Sequence, residues 1–372
     1  MIGLYIHVPF CKQKCRYCSF VSGTDLSFCA RYVDCLIKEI RSYKTEPKEE
    51  VDTVFYGGGT PSMLSVEQLG RIMQAIRESF SLAPDVEITC EANPESATKS
   101  WMESVRGLGV NRLSLGVQSL DDTTLNAIGR LHDSVTAINA VKTAVELFPK
   151  VNADYMVGLP HQTVERVDQD VKILLDLGIK HLSCYSLILE ENTPLYKDVE
   201  DGLRLPDEDA TVDMYDKVVK MCAQKGLSRY EISNFSYPGC ECRHNANCWE
   251  MHPYIGFGAA AHSFYKDKRF FNPSSVHQYV DKIERGEVTS IPEGYNSRQD
   301  RINETIMLAL RTAKGLDINE FNRTFCIDFA TEYANELADP LVQKCCDLSS
   351  SCLKIKPQYL YISNSITALF LR

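Results

Sequence analysis

Cys11, Cys15 and Cys18 stand in a C-x3-C-x2-C spacing within Tyr5-Ile6-His7-Val8-Pro9-Phe10-Cys11-Lys12-Gln13-Lys14-Cys15-Arg16-Tyr17-Cys18. Three thiols so close together, on a loop leaving an apolar strand, can converge on one metal centre. Neighbouring Lys12, Lys14 and Arg16 would favour the thiolate form. A structural zinc wants a fourth Cys or His nearby, whereas a 4Fe–4S cluster held by three cysteines leaves one iron open to a ligand. An open iron implies chemistry or a bound small molecule. A second set, Cys240, Cys242, His244 and Cys248, invites a zinc reading, but its spacing is short and irregular beside the usual paired knuckle. The other thiols, Cys29, Cys35, Cys90, Cys184, Cys222, Cys326, Cys345, Cys346 and Cys352, read most simply as small buried hydrophobes. The total of fifteen is odd, and in a chain of 372 residues it favours metal or redox chemistry over a disulfide framework.

Other polar or glycine-rich residues fall just after apolar, β-rich runs. Gly57-Gly58-Gly59-Thr60-Pro61 follows one run, Glu91-Ala92-Asn93-Pro94 the next, and Gln118 the one after. Glycines let a backbone come close to a ligand and expose its N–H and C=O groups, although a triple glycine alone can also be a plain turn. The stretch lacks the Lys of a phosphate loop and the spacing of a dinucleotide fingerprint, and no Ser-His-Asp arrangement competes for the active centre.

The elements that must position these residues are strands near 4–9, 51–56, 86–91, 112–117, 151–157 and 181–189, with weaker ones at 228–232 and 255–259. Helical spacing fills the gaps at 28–43, 65–80, 97–107, 134–147, 163–177 and 207–225. Strand then helix, repeated about six times at steps of roughly 30 residues, predicts a parallel sheet with right-handed crossovers, as a doubly wound sheet or a closed or partial barrel. Function then sits at the C-terminal strand ends, where the unusual residues cluster. After about residue 265 the alternation stops. Helices at 275–285, 298–312, 318–325 and 330–338, then strand-like runs at 353–355 and 359–362, predict a small helical domain of winged-helix type ending in a hairpin. The division expected is 1–265 and 266–372.

Lys plus Arg number 40 against 50 Asp plus Glu, a net charge of −10. So acidic a chain lacks the electrostatic footprint of a nucleic-acid binder, and no nucleic-acid partner is expected despite the winged-helix pattern. No apolar run reaches the 18 or so residues of a membrane span, and the N-terminus runs directly into a strand without a leader, so a soluble cytoplasmic protein with no transmembrane segment is expected.

The C-x3-C-x2-C signature after Tyr-x-His-x-Pro-Phe, followed by Gly-Gly-Gly-Thr-Pro, resembles the radical S-adenosylmethionine superfamily, in the branch of oxygen-independent coproporphyrinogen III oxidases and HemW-type heme chaperones. The likeness spans nearly the whole chain. It implies an α/β fold, a partial (β/α) barrel with a C-terminal, mostly helical winged-helix-like domain. It also implies a 4Fe–4S cluster on Cys11, Cys15 and Cys18, whose open iron chelates S-adenosylmethionine and whose electron can cleave the sulfonium. Gly58, Gly59 and Thr60 resemble the stretch that contacts the methionine part. Glu91, Gln118, Arg130 and Asp154 match polar positions around the cosubstrate, and Tyr5 matches an aromatic residue beside the cluster. Alternatively, Arg130 and Asp154 simply pair with each other.

Two function classes compete within that resemblance. One is radical decarboxylation of coproporphyrinogen III; the other is heme binding and delivery to acceptor hemoproteins. The oxidases carry a further cysteine two residues after the third, where this chain has Phe20, and an N-terminal extension that is expected to be missing here. Arg243-His244-Asn245-Ala246-Asn247-Cys248-Trp249 resembles the His-Asn-x-x-Tyr-Trp motif of the chaperones, with Cys248 in place of Tyr. The resemblance makes His244 an axial ligand of heme and Trp249 a cover for a porphyrin face, with Cys248 an alternative ligand. His262 reads as a satisfied core histidine rather than a pocket residue. Heme chaperone is the favoured reading and dehydrogenase the alternative. Heme, acceptor hemoproteins and an electron donor for the cluster are the expected partners, and a homodimer is left open. A bulky residue at Gly59 is expected to block the cosubstrate and spare the cluster.

Overall fold

The chain is described by a computed structural model covering residues 1–43, 45–294 and 297–372. The strands β1 (Ile2–Val8), β2 (Glu50–Gly58), β3 (Ser81–Ala92), β4 (Arg112–Gln118), β5 (Lys150–Val157) and β6 (His181–Ser186) pair in sequence order, all parallel. Between them run α1 (Cys29–Ser42), α2 (Val66–Ser79), α3 (Lys99–Gly107), α4 (Asp122–Ala127), α5 (Ser134–Leu147) and α6 (Val164–Asp176). The side-chain oxygens of Ser65, Thr98, Asp121, Asp133 and Thr163 cap the N-termini of α2 to α6.

The period-2 alternation of the strands determines which way each residue faces. Leu4, Ile6, Val54, Ile88, Leu113, Leu115, Ala153 and Leu182 join one core with the helices. The opposite set, including Tyr5, His7, Thr53, Phe55, Glu91, Ser114, Asn152, Asp154 and His181, faces the concave side, where its members bond to one another or line cavities.

After α7 (Pro194–Glu200) and α8 (Glu208–Gln224), short β7 (Ser228–Arg229) and β8 (Asn234–Ser236) extend the sheet beyond β6 in antiparallel sense. On the far side β9 (Tyr254–Phe257) is parallel to β1, and β10 (His262–Tyr265), β11 (Lys268–Phe271) and β12 (Ile291–Pro292) continue antiparallel. The order among the described residues is β12-β11-β10-β9-β1-β2-β3-β4-β5-β6-β8-β7, a curved sheet with two free edges. Between β8 and β9, α9 (Arg243–Trp249) lies against the concave side.

Residues expected to start the second domain therefore contribute to the first. β11, β12 and the helix α10 (Val276–Glu284) belong to the large sheet and its core, and the second core begins at Ile302. That core gathers Ile306, Phe321, Phe329, Tyr333, Leu353 and Phe370 beside a three-stranded sheet of β13 (Leu316–Asp317), β14 (Cys346–Leu348) and β15 (Cys352–Ile355). The hairpin is β14–β15, and 359–362, read as a strand, is part of a 3-10 helix, Pro357–Ile362. Pro357 has no N–H to give a ladder and presets the φ of a first helical residue. The expected strand at 181–189 stops at Ser186. No helix among the described residues is long and apolar enough to cross a membrane.

One buried carboxylate locks α1 to the β9–β12 side. Glu39 accepts from Tyr279 Oη (2.7 Å), Gly258 N (2.8 Å), Asn272 Nδ2 (2.6 Å) and Thr289 Oγ1 (3.2 Å). Burial pushes its pKa up while these donors pull it down. Glu39→Ala strands several buried donors at once, so it should lower stability by about 3 kcal/mol or more, read from the denaturation midpoint. Lys38→Ala, at an exposed neighbour, should stay within about 0.5 kcal/mol.

Candidate functional site

The cluster loop leaves β1 at Pro9 and returns at Gly23: Cys11 N donates to Gly23 O (2.9 Å) and Gly23 N to Pro9 O (2.9 Å). It is pinned further along by Arg16, whose N donates to Ile128 O (3.0 Å) and whose guanidinium grips Asp198 with two bonds. Cys11, Cys15 and Cys18 face one cavity of about 430 Å³ together with Gly58, Gly59, Thr60, Glu91, Gln118, Arg130 and Asp154. Of the cluster and cosubstrate positions expected from the sequence, only Tyr5 is missing from its wall. Sequence reasoning did not single out Gly116, Met156 and Tyr185, which line the same cavity. Asn93, inside the strand-end motif, donates to Thr60 Oγ1 (3.2 Å).

Among the described residues no three His, Cys, Asp or Glu side chains converge tightly enough to hold a single metal ion. A cluster asks for a different arrangement, because each thiolate binds its own iron. Three thiols facing one cavity satisfy that demand, and two of them already receive donors. Thr60 Oγ1 lies 3.5 Å from Cys11 Sγ, and Arg130 Nη1 is 3.3 Å from Cys15 Sγ. Arg130 thus serves the Cys15 thiol directly, and the charge of Lys14 favours the Cys18 thiolate. Arg16, by contrast, is taken by Asp198, while Lys14 is held beside Cys18 by its bond to Phe20 O. Cys240, Cys242, His244 and Cys248 form no convergent set either among the described residues.

Gly58 has φ +109°, a conformation that disfavours any side chain, and a Cβ there would lie 2.5 Å from the His7 ring. Gly59 N donates to Val8 O (2.8 Å) and Thr60 N to Phe10 O (2.8 Å), so the turn is laced to the segment that enters the cluster loop. A Cβ on Gly59 would meet Val8 O and Phe10 O at 2.8 Å. This corrects the expectation for Gly59: a side chain there pushes on the backbone one residue before Cys11 and disturbs both loops.

Arg130 does not pair with Asp154. Its Nη2 donates to Asn93 Oδ1 (2.7 Å) and Gly116 O (2.5 Å). Asp154 accepts instead from Asn152 Nδ2 (2.7 Å) and Ser114 Oγ (3.4 Å). Burial, then the nearby Asp154 charge, pushes Glu91 up to about 8, against one N–H from Gly58. Two carboxyls on a concave, polar wall suit a ligand that brings hydroxyl and ammonium donors, whose positive charge would draw Glu91 to its ionised, accepting form.

A second cavity of about 650 Å³ adjoins the first, and Phe20, Gly58 and Glu91 line both. Tyr5, expected beside the cluster, is on this wall, with its hydroxyl 3.0 Å from His7 Nδ1. His244 is 5% exposed; its Nδ1 bonds to Thr53 Oγ1 (3.0 Å) and its ring stacks at 5.2 Å on Phe55. Desolvation lowers its pKa to about 4 and keeps it neutral. Cys248 lines the same cavity, its thiol pushed up to about 12 by burial. His262 is a wall residue as well, exposed and 2.7 Å from Glu293, not a core histidine.

Trp249 is elsewhere. It lines a cleft between the two cores with Phe264, Arg301, Phe321 and Phe325, so it covers nothing bound beside His244. Five residues on a short helix turn the side chain about 140° away from His244. Two of the remaining thiols also depart from expectation, with Cys326 exposed and Cys352 half-buried.

Residues 5–174 match the Radical SAM superfamily and residues 296–358 the HemN C-terminal domain. The chain is 35% identical over 346 residues to the heme chaperone HemW of Lactococcus lactis, covering 91% of this chain and 89% of that relative. It is 32% identical to the heme chaperone HemW of Bacillus subtilis, covering 100% of this chain and 99% of the relative. The solved coproporphyrinogen III oxidase HemN from Escherichia coli superposes with a TM-score of 0.89 over 100% of this chain and 90% of its own, at 23% identity, a likeness of fold. Radical SAM membership implies a 4Fe–4S cluster and S-adenosylmethionine. The chain belongs to the HemW branch of the radical SAM superfamily.

Proposed function

We propose that this protein binds heme and hands it to acceptor hemoproteins, using a 4Fe–4S cluster on Cys11, Cys15 and Cys18 with S-adenosylmethionine in the adjoining cavity. The observation that carries the reading is the pair of cavities sharing Phe20, Gly58 and Glu91, one walled by thiols and the other by a neutral, desolvated imidazole. When bound, the cluster supplies an open iron and a one-electron source, fed by an external donor. Thr60 and Arg130 steady its thiolates, Gly58 to Thr60 offer backbone groups to the methionine end, and Glu91, Gln118 and Asp154 receive the cosubstrate's donors.

In the second cavity His244 would supply a ligand to heme iron. In the tautomer whose Nδ1–H donates to Thr53 Oγ1, Nε2 is the bare nitrogen and would bind iron without first losing a proton. Cys248 would first have to give up a strongly held proton. The walls of Phe55, Tyr254 and Phe271 suit a flat apolar macrocycle. Fifteen cysteines without a disulfide fit a reducing compartment, and we place the protein in the cytoplasm.

Anaerobic reconstitution should load about four irons and four sulfides per chain. Replacing any one of Cys11, Cys15 or Cys18 by Ala should remove the cluster absorbance, and Cys240→Ala should leave it; unchanged iron in all three variants would sink the assignment. Gly59→Leu should lose both S-adenosylmethionine binding and part of the cluster; loss of binding with full iron content would show that the two loops are independent. Heme titration should give a Soret band altered in His244→Ala and unaltered in Cys248→Ala, with no protoporphyrinogen IX formed from coproporphyrinogen III under reducing conditions. Product at multiple turnovers would instead establish the dehydrogenase.

A further inference from the structure

Beneath the cluster cavity the concave face of the sheet holds a buried line of hydrogen bonds that the proposed function leaves unused. Asn152, on β5, stands two residues before Asp154 and on the same face. Its Nδ2 donates to Asp154 Oδ1 (2.7 Å) and to Ser114 Oγ (2.8 Å). Its Oδ1 lies 2.6 Å from His181 Nδ1, and His181 Nε2 lies 2.8 Å from Tyr230 Oη. Tyr230 Oη in turn accepts from Cys242 N (3.3 Å), at the N-cap of α9.

The proton positions along this line follow from chemistry. A carboxylate only accepts, so the amide nitrogen of Asn152 faces Asp154 and its oxygen faces His181. That oxygen needs a donor, so Nδ1 of His181 carries the hydrogen. Burial, with Arg112 and Lys150 nearby, holds the imidazole neutral, so Nε2 is bare and Tyr230 donates to it. Every link therefore donates towards Asp154.

Ser183 makes the arrangement consequential. Its hydroxyl lies 3.2 Å from Asn152 Oδ1 and also bonds to Asp154, but it has one hydrogen to give. With His181 already giving the amide oxygen a short bond, that oxygen does not depend on Ser183, whose single hydrogen lies within reach of both the amide and the carboxylate. Without His181, the amide oxygen of Asn152 keeps Ser183 as its one donor, so the Ser183 hydrogen is drawn away from Asp154 and the amide plane loses one of the bonds that fix it. We propose that His181 is a positioning residue: by fixing the amide plane of Asn152 and sparing the Ser183 hydrogen for the carboxylate, it holds Asp154 as a fixed acceptor on the wall of the cluster cavity. This rests on S-adenosylmethionine occupying that cavity.

The test uses full-length protein with its cluster reconstituted, S-adenosylmethionine binding by calorimetry, iron content and thermal midpoint. His181→Leu should weaken binding about tenfold, the scale of one hydrogen bond to a charged group, with iron content unchanged. His181→Asn places an amide N–H near the position of Nδ1 and should restore binding to within about twofold of wild type. In an Asp154→Ala background His181→Leu should add no further loss, because its effect passes through that carboxylate. Wild-type affinity in His181→Leu overturns the proposal, as does an equal loss in both backgrounds. Should His181→Leu fail to fold, Tyr230→Phe, which removes the donor to Nε2, should weaken binding about threefold in the wild-type background only. Wild-type protein with four irons and no S-adenosylmethionine binding overturns the cofactor seat itself rather than the relay.

Discussion

The site depends on one close approach, the turn after β2 lying directly on the segment that leaves β1. Gly59 and Thr60 bond to Val8 and Phe10 with no side chain between, and His7 fills the hollow under Gly58. The cluster loop starts from that contact, and both cavities use its glycines as wall. Each polar residue on the neighbouring strands is then placed by its distance along a parallel ladder registered to β1 and β2. A displacement at the turn is therefore felt by thiols, carboxylates and imidazole together.

Much of this was legible in the residue pattern because it is periodic or local. Alternation in 112–118 and 151–157 separates Leu113, Leu115 and Ala153, which meet helices, from Ser114, Asn152 and Asp154, which meet the interior. Cysteine spacing identified the loop, and residues at strand ends identified the cavity. What escaped was set by tertiary contact. Nothing local in Arg130 says that it reaches Cys15 rather than Asp154, and nothing in Arg16 reveals Asp198, 182 residues away. The sheet strands beyond residue 265 are short and flank a helix, so the pattern there reads as helical. Helix phase decided the fate of Trp249: the motif is contiguous in sequence, but a helix cannot point positions five apart at one ligand.

The buried polar groups fall into two classes. Those around Glu39 and Asn152 are saturated by protein donors and hold elements in place. Glu91 and Asp154 keep acceptor capacity facing open space, and at Glu91 the cost shows as a carboxyl pushed up to about 8. A ligand carrying positive charge relieves that cost, so the empty acceptors are a structural argument for a cationic guest as well as a chemical one.

The chain has two tryptophans, and their surroundings give it an unusual optical character. Trp101 is sealed in the main core, whereas Trp249 sits in the cleft bounded by Met251, Phe264 and Phe321, where Arg301–Asp267 and Lys314–Glu250 ion pairs bridge the two cores. Emission from Trp101 is insulated from whatever happens at the surface. Before heme or cluster is loaded, a change in tryptophan fluorescence under native conditions is therefore a report from the seam between the cores, whereas a bound heme would quench both residues by energy transfer.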